Sequence, residues 1–140
     1  MKVLIDTNVI LDVLCNRLPF VEDAQKVFRL CEVNKITGYI SALSIPNIIY
    51  IMRKELDADK ISDILEKLSL IFTIADLKSS DLTKAVKLGF DDYEDALQSV
   101  CASRIKADYI VTRNIKDFSG SKVTAIKPSE LFEQIGRAHV

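Results

Sequence analysis

The apolar positions of this chain change their period several times, and each change marks an element boundary. Residues 2–6 form a short apolar run closed by Asp6, the pattern of a strand buried on both faces. A short apolar segment follows at 9–14. Pro19 then opens a helical stretch in which Ala24, Val27, Phe28 and Cys31 recur at helical spacing. Residues 37–41 read as a second strand. Ile45, Ile48, Ile49, Met52 and Leu56 mark one face of a helix; Ile61, Ile64, Leu65 and Leu68 mark another, with Asp57 or Asp59 as its N-cap. Residues 70–75, rich in β-branched and aromatic side chains, read as a third strand. Ser79 or Ser80 caps a helix that stops near Gly89, and the next helix starts within 91–95, carrying Leu97, Val100, Cys101 and Ile105 on its apolar face. Strands at 109–112 and 123–126 follow. A last helix opens at Pro128 and carries Leu131, Phe132 and Ile135. Residues 136–140 do not continue its pattern and are set apart as a disordered or extraneous tail.

Strands alternating with helices imply an α/β fold: a parallel β-sheet of about five strands sandwiched by α-helices in three layers, forming one domain over residues 1–135. In such sheets the site lies outside the carboxyl ends of the strands, where the strand order reverses. Asp6 ends the first strand, and Arg113, Asn114, Lys116 and Asp117 follow the fourth. A crossover helix runs antiparallel to its strands, so the helix start that bears Asp92 and Asp95 returns to the same rim. So does the helix start at 44–47, with Asn47. Asp92 and Asp95 lie one turn apart and share a helical face. Asp6, Asp92, Asp95 and Asp117 thus converge from three remote parts of the chain.

Each acid also has a plainer role. Asp6 can cap the segment at 9–14, Asp92 stands at an ordinary N-cap position, and Asp117 can cap a turn. Asp12 and Asp23 read as solvated surface acids. It is the joint placement that points to chemistry, because carboxylates sharing a pocket repel and call for protons or a cation. Oxygen-rich acidic sites suit Mg²⁺ or Mn²⁺. Arg113 and Lys116 lie beside the rim, and Arg53 and Lys54 further out, where they would meet flanking phosphates.

Composition narrows the field further. With 140 residues, 49% of them hydrophobic, the chain can bury a core. Its 19 Lys and Arg against 20 Asp and Glu give a net charge of −1, so nucleic acid cannot be held by bulk charge and needs a local patch or a bridging cation. Cys15, Cys31 and Cys101 are widely spaced among apolar neighbours and read as buried, reduced thiols of a cytoplasmic protein. The one histidine, His139, stands next to the end, so histidine-based catalysis and a zinc site both lack their ligands. No secretory signal or membrane span is visible.

At this point the sequence resembles a known family. Asp6-Thr7-Asn8 after a first strand, Asp95-Ala96 opening a late helix, and Thr112-Arg113-Asn114 with Asp117-Phe118 after the next strand are similar to the PIN domain. The stretch from Asp92 to Gln98, followed by that from Asp108 to Asn114, is most similar to a bacterial VapC-toxin-like subgroup. The resemblance runs from Lys2 to about Phe132. It implies a metal-dependent endoribonuclease, the toxin-like member of a toxin–antitoxin pair. It also implies Asp6, Asp95 and Asp117 as ligands of Mg²⁺ or Mn²⁺, Asp92 as an accessory acid, Thr7 and Asn8 tightening the turn after Asp6, and Thr112 hydrogen-bonding near the metal. RNA, an antitoxin protein and a second copy of the chain are the partners it implies. Two positions depart from the family pattern. Asn47 stands where a Glu is usual, and Asn114 where many members carry Asp. A catalytically silent PIN-like domain that binds RNA or a protein partner is therefore the second reading.

Overall fold

The computed structural model describes residues 1–138. Five strands alternate with helices: β1 (Lys2–Ile5), β2 (Thr37–Ser41), β3 (Thr73–Ala75), β4 (Tyr109–Val111) and β5 (Thr124–Ile126). The helices are α1 (Thr7–Leu14), α2 (Val21–Glu32), α3 (Ser44–Met52), α4 (Ala58–Ile71), α5 (Ser79–Lys87), α6 (Tyr93–Arg104) and α7 (Pro128–Ala138), with a 3₁₀ turn at Ile115–Phe118. All strand pairs are parallel, in the order β3-β2-β1-β4-β5. The chain builds leftward from β1 to β3 and then crosses over to lay β4 against the other edge of β1. The order therefore reverses between β1 and β4.

The side-chain period of two divides each strand between two cores. Val3, Ile5, Ile40, Val111 and Ile126 face one layer, with Val9 and Ile10 of α1, Val27 and Phe28 of α2, Ile48 and Met52 of α3, Leu68 of α4 and Leu131 of α7. Leu4, Ala75 and Ile110 face the other, against Cys101 and Ala102 of α6 and Phe118. α5 lies outside α6, and the two share Ala85, Ala96, Leu97 and Val100. Covered on both sides, α6 buries seven consecutive residues from Ala96 to Ala102, which fixes the height of its first turn. Among the described residues no helix is long and apolar enough to cross a membrane.

Several boundaries differ from the sequence expectation. α4 continues through Ile71, so the third strand is only Thr73–Ala75 and Leu70, expected in a strand, is 83% exposed on the helix. The apolar run misled because Phe72, buried within it, stands between helix and strand and packs edge-on against Phe28, with ring centroids 4.9 Å apart. α5 is capped by neither serine. Asp81 Oδ2, from inside the first turn, accepts from the Lys78 N–H at 3.0 Å. Asp57, not Asp59, caps α4, accepting from the Lys60 N–H at 2.9 Å. α7 runs past Ile135 through Gly136 to Ala138, and positions 139–140 of the expected tail lie outside the described residues.

Gly38 of β2 lets α2 and α4 close on the sheet. A Cβ there would stand 2.5 Å from Cys31 Sγ and 2.8 Å from the Phe72 ring. Gly38→Ala is expected to cost about 1–3 kcal/mol, the usual range for overpacking a core. Urea unfolding checks this: an unchanged midpoint would mean the core yields freely.

Candidate metal centre

The backbone turn that ends β1 builds the centre of the site. Asp6 N–H donates to Val111 O at 2.9 Å, extending the β1–β4 pairing to the very rim. Beyond that point Asp6 becomes the N-cap of α1, and its Oδ1 accepts from the Thr7 N–H at 2.8 Å. Its Oδ2 accepts from the Thr112 hydroxyl at 2.8 Å. Thr112 in turn accepts from the Asn114 N–H at 3.0 Å and from Asn8 Nδ2 at 3.4 Å. Both carboxylate oxygens of Asp6 are thus fixed by the two strand ends at the switch point, and the side chain is 8% exposed.

The remaining acids arrive as the topology dictates. Asp92 is the N-cap of α6, with Oδ1 accepting from the Glu94 N–H at 2.8 Å and the Asp95 N–H at 3.2 Å. That bond orients the first turn and with it Asp95. Asp117 projects from the 3₁₀ turn after β4 and is exposed. Asp6, Asp92, Asp95, Asp117, Thr7, Asn8, Asn47 and Asn114 line one open cleft of about 300 Å³. Lys116 lines an adjoining hollow that shares Asp92, Asp95 and Asp117. Thr112 is buried beneath, acting on Asp6.

Two residues depart from their expected roles. Arg113 points away from the cleft. Its Nε and Nη2 grip Asp12 at 2.7 and 3.1 Å, and its guanidinium lies 4.0 Å over the Phe20 ring. Asp12, expected to be solvated, is 1% exposed. An acid in the middle of a short helix reads as surface from sequence, and only the placement of Arg113 after β4 supplies the partner that makes its burial tolerable. Sequence reasoning also missed Gln98, three residues along α6 from Asp95. It is 3% exposed and donates from Nε2 to Ser44 Oγ at 2.9 Å, which also accepts from Thr7 Oγ1 at 2.7 Å. Its helical spacing from Asp95 was the available signal.

The cleft is electrostatically strained. Burial, and then the charges of Asp92, Asp6, Asp117 and Glu94, push the Asp95 carboxyl up to about 7. Burial likewise raises Asp6, against the lowering pull of the Thr112 and Thr7 hydrogen bonds, with Asp117 adding to the rise. Two residues that line the cleft carry a buried amide oxygen without a hydrogen-bond partner, Asn8 Oδ1 and Gln98 Oε1. Among the described residues no three His, Cys, Asp or Glu side chains stand close enough to form a ready-made cage. The donors fit a hard cation even so: Mg²⁺ keeps several waters and is held by one or two carboxylates, and the cleft presents Asp6, Asp95 and Asp117, with two buried amide oxygens of its lining residues left unpartnered.

The raised carboxyls fix the sign of a pH effect. Unfolded, Asp95 loses its proton near 3.8; folded, near 7. Between those values the folded state holds the extra proton, so stability falls as pH rises through the window. In chelator-treated protein the urea midpoint is expected to drop from pH 5 to pH 7.5, and Asp95→Asn should flatten the drop. A wild-type and variant difference that is independent of pH would contradict the shift.

The comparisons agree with this architecture. A family model described as the PIN domain matches residues 2–116. No curated protein matches the chain in sequence. Among solved structures, VapBC-1 from nontypeable Haemophilus influenzae superposes with a TM-score of 0.71 at 16% identity, covering 92% of this chain and 99% of that one. A toxin–antitoxin complex from Klebsiella pneumoniae gives 0.69 at 21%, covering 90% and 97%. FitAcB from Neisseria gonorrhoeae gives 0.68 at 19%, covering 91% and 98%. At these identities the likeness is one of fold, and the family rests on the match over residues 2–116: the chain belongs to the PIN domain family.

Proposed function

We propose that this chain is a metal-dependent endoribonuclease, hydrolysing RNA phosphodiester bonds as the toxin-like member of a toxin–antitoxin pair. The observation that carries the reading is the acid cleft at the sheet's switch point, where burial and then the neighbouring acids raise Asp95 to about 7. Asp6, Asp95 and Asp117 would hold Mg²⁺ or Mn²⁺. When bound, such a cation lowers the pKa of a water and offsets charge on the phosphate. The chain's own part is positional. Thr112 and the Thr7 N–H hold Asp6 still. Asp92 orients Asp95 through the first turn of α6 and favours its proton until positive charge arrives. Lys116, exposed at the rim, meets a neighbouring phosphate. The Klebsiella relative is a toxin–antitoxin complex and the Haemophilus one is VapBC-1, which supports an antitoxin partner for this chain. A homodimer and a cytoplasmic location belong to the same reading.

Manganese should therefore raise the melting temperature at constant ionic strength. Ligand at about 100 times Kd stabilises by about 2.7 kcal/mol. The rise should shrink in Asp6→Asn and in Asp117→Asn and persist in Asp63→Asn, on the exposed face of α4. A shift indifferent to the first two would remove the metal assignment.

The second reading, a silent domain that binds RNA or a protein partner, has one observation in its favour. Asn47 lines the cleft and brings no charge. Purified protein given RNA with and without Mn²⁺ separates the two readings: cleavage only with the cation supports the nuclease, and binding without cleavage supports the silent domain.

A further inference from the structure

Beyond the acid cleft the surface changes sign. Leu88, Phe90 and Gly120 line the hollow of about 340 Å³ that adjoins the acids. Leu88 also lines a further hollow of about 430 Å³, whose charged residues are all basic: Lys84, Lys87, Arg104 and Lys122. Arg104 is committed elsewhere, with Nε and Nη2 on Asp81 at 3.1 and 3.0 Å and Nη1 on Asp76 at 3.2 Å. The three lysines are exposed and, among the described residues, form no ion pair. Lys84 and Lys87 sit in the last turn of α5, where cations suit the helix dipole. That explanation does not reach Lys122, which comes to the same hollow from the segment before β5. The exposed Ser103 hydroxyl completes a lining of donors.

We propose that this basic hollow is a second subsite for the RNA strand, taking backbone phosphates of nucleotides that lie beyond the bond presented to the acid cleft. The inference rests on the ribonuclease reading and extends it. A chain of net charge −1 has no bulk attraction for a polyanion, so a strand drawn to a cleft of carboxylates needs a cationic anchor nearby. The hollow supplies one, and it shares Leu88 with the hollow that adjoins the acids. Leu88 and Phe90 form an apolar strip between the two charged regions, suited to bases while the phosphates stay on the lysines. The lysines carry no base-reading geometry, so the subsite adds affinity and salt dependence without sequence preference.

The test uses Asp95→Asn as a non-cleaving parent and a fluorescent single strand of about 20 nucleotides, a length that several backbone contacts can share. Combining Lys84→Glu, Lys87→Glu and Lys122→Glu with the parent should weaken binding at least about tenfold near 0.1 M salt and flatten the log–log salt slope by about 2. Alanine at the same three positions should flatten the slope similarly with a smaller loss, separating lost contacts from added repulsion. In the Asp95-intact protein the glutamate triple variant should lose cleavage of the long strand and keep its rate on a dinucleotide. A parent that binds RNA alongside a triple variant of equal affinity and slope overturns the subsite and leaves hydrolysis at the acid cleft standing. A parent that binds no RNA overturns both.

Discussion

Asp95→Asn is expected to lower metal-dependent RNA cleavage by about 10²–10³-fold, the range seen when one preorganised charge-stabilising group is removed from a site. The substitution is nearly isosteric, and the α6 N-cap bond from the Asp95 backbone N–H to Asp92 needs no side-chain charge, so the fold should persist. Because burial, and then the neighbouring acids, hold the carboxyl up to about 7, the wild type at pH 8 carries a desolvated charge and a repulsion that the amide does not. Without metal the variant should then melt at or above the wild-type temperature at pH 8, and the two should agree at pH 5, where Asp95 is protonated. The combination of lost activity and unchanged or raised metal-free stability distinguishes a functional acid from a structural one. Cleavage at the wild-type rate, with nuclease contamination excluded, would end the assignment.

Arg113→Met should be the most destabilising change near the site, by about 3–5 kcal/mol, because it strands a buried carboxylate. Asp12 is 1% exposed, and Arg113 supplies two of its hydrogen bonds, while Arg17 reaches it only at 4.0 Å. The reverse change, Asp12→Leu, should cost less. The Arg113 side chain is 26% exposed and stacked on Phe20, so it can turn toward water. Loss of Arg113 also removes a charge that lowers the Asp6 carboxyl, so metal affinity at neutral pH should fall along with stability. Denaturant midpoints for the two single variants and the double variant decide the matter. If the double variant recovers most of the Arg113→Met loss, the stranded charge is the cause. Equal costs for the two singles would argue against that asymmetry.

Much of this architecture was legible because the sheet is buried on both faces. Short apolar runs bounded by polar turns located β1, β2, β4 and β5 to within a residue or two, and the alternation with helices gave the parallel topology. Topology then placed the acids. The convergence of Asp6, Asp92, Asp95 and Asp117 on one cleft needed only the rule that crossover helices return to the carboxyl edge. What escaped was pairwise. Asp12 with Arg113, Asp81 with Arg104, and Gln98 with Ser44 each join residues far apart in sequence, and nothing local in either partner announces the other. Arg113 shows the cost of that blindness. It follows β4 as expected, but its side chain turns to Asp12, a buried acid of α1, and does not line the cleft.

The reversal of strand order has a consequence during synthesis. β1 is the central strand, and one of its edges pairs with β2 as soon as that strand emerges from the ribosome. Its other edge waits for β4, which follows β3, α5 and α6. At about 5–20 residues per second, that wait lasts on the order of seconds. Throughout it, a strand whose last three residues are apolar shows an unpaired row of N–H and C=O groups, the template on which chains aggregate. Nascent chains halted before β4 should therefore be chaperone clients, and release should follow once residues 109–111 clear the exit tunnel.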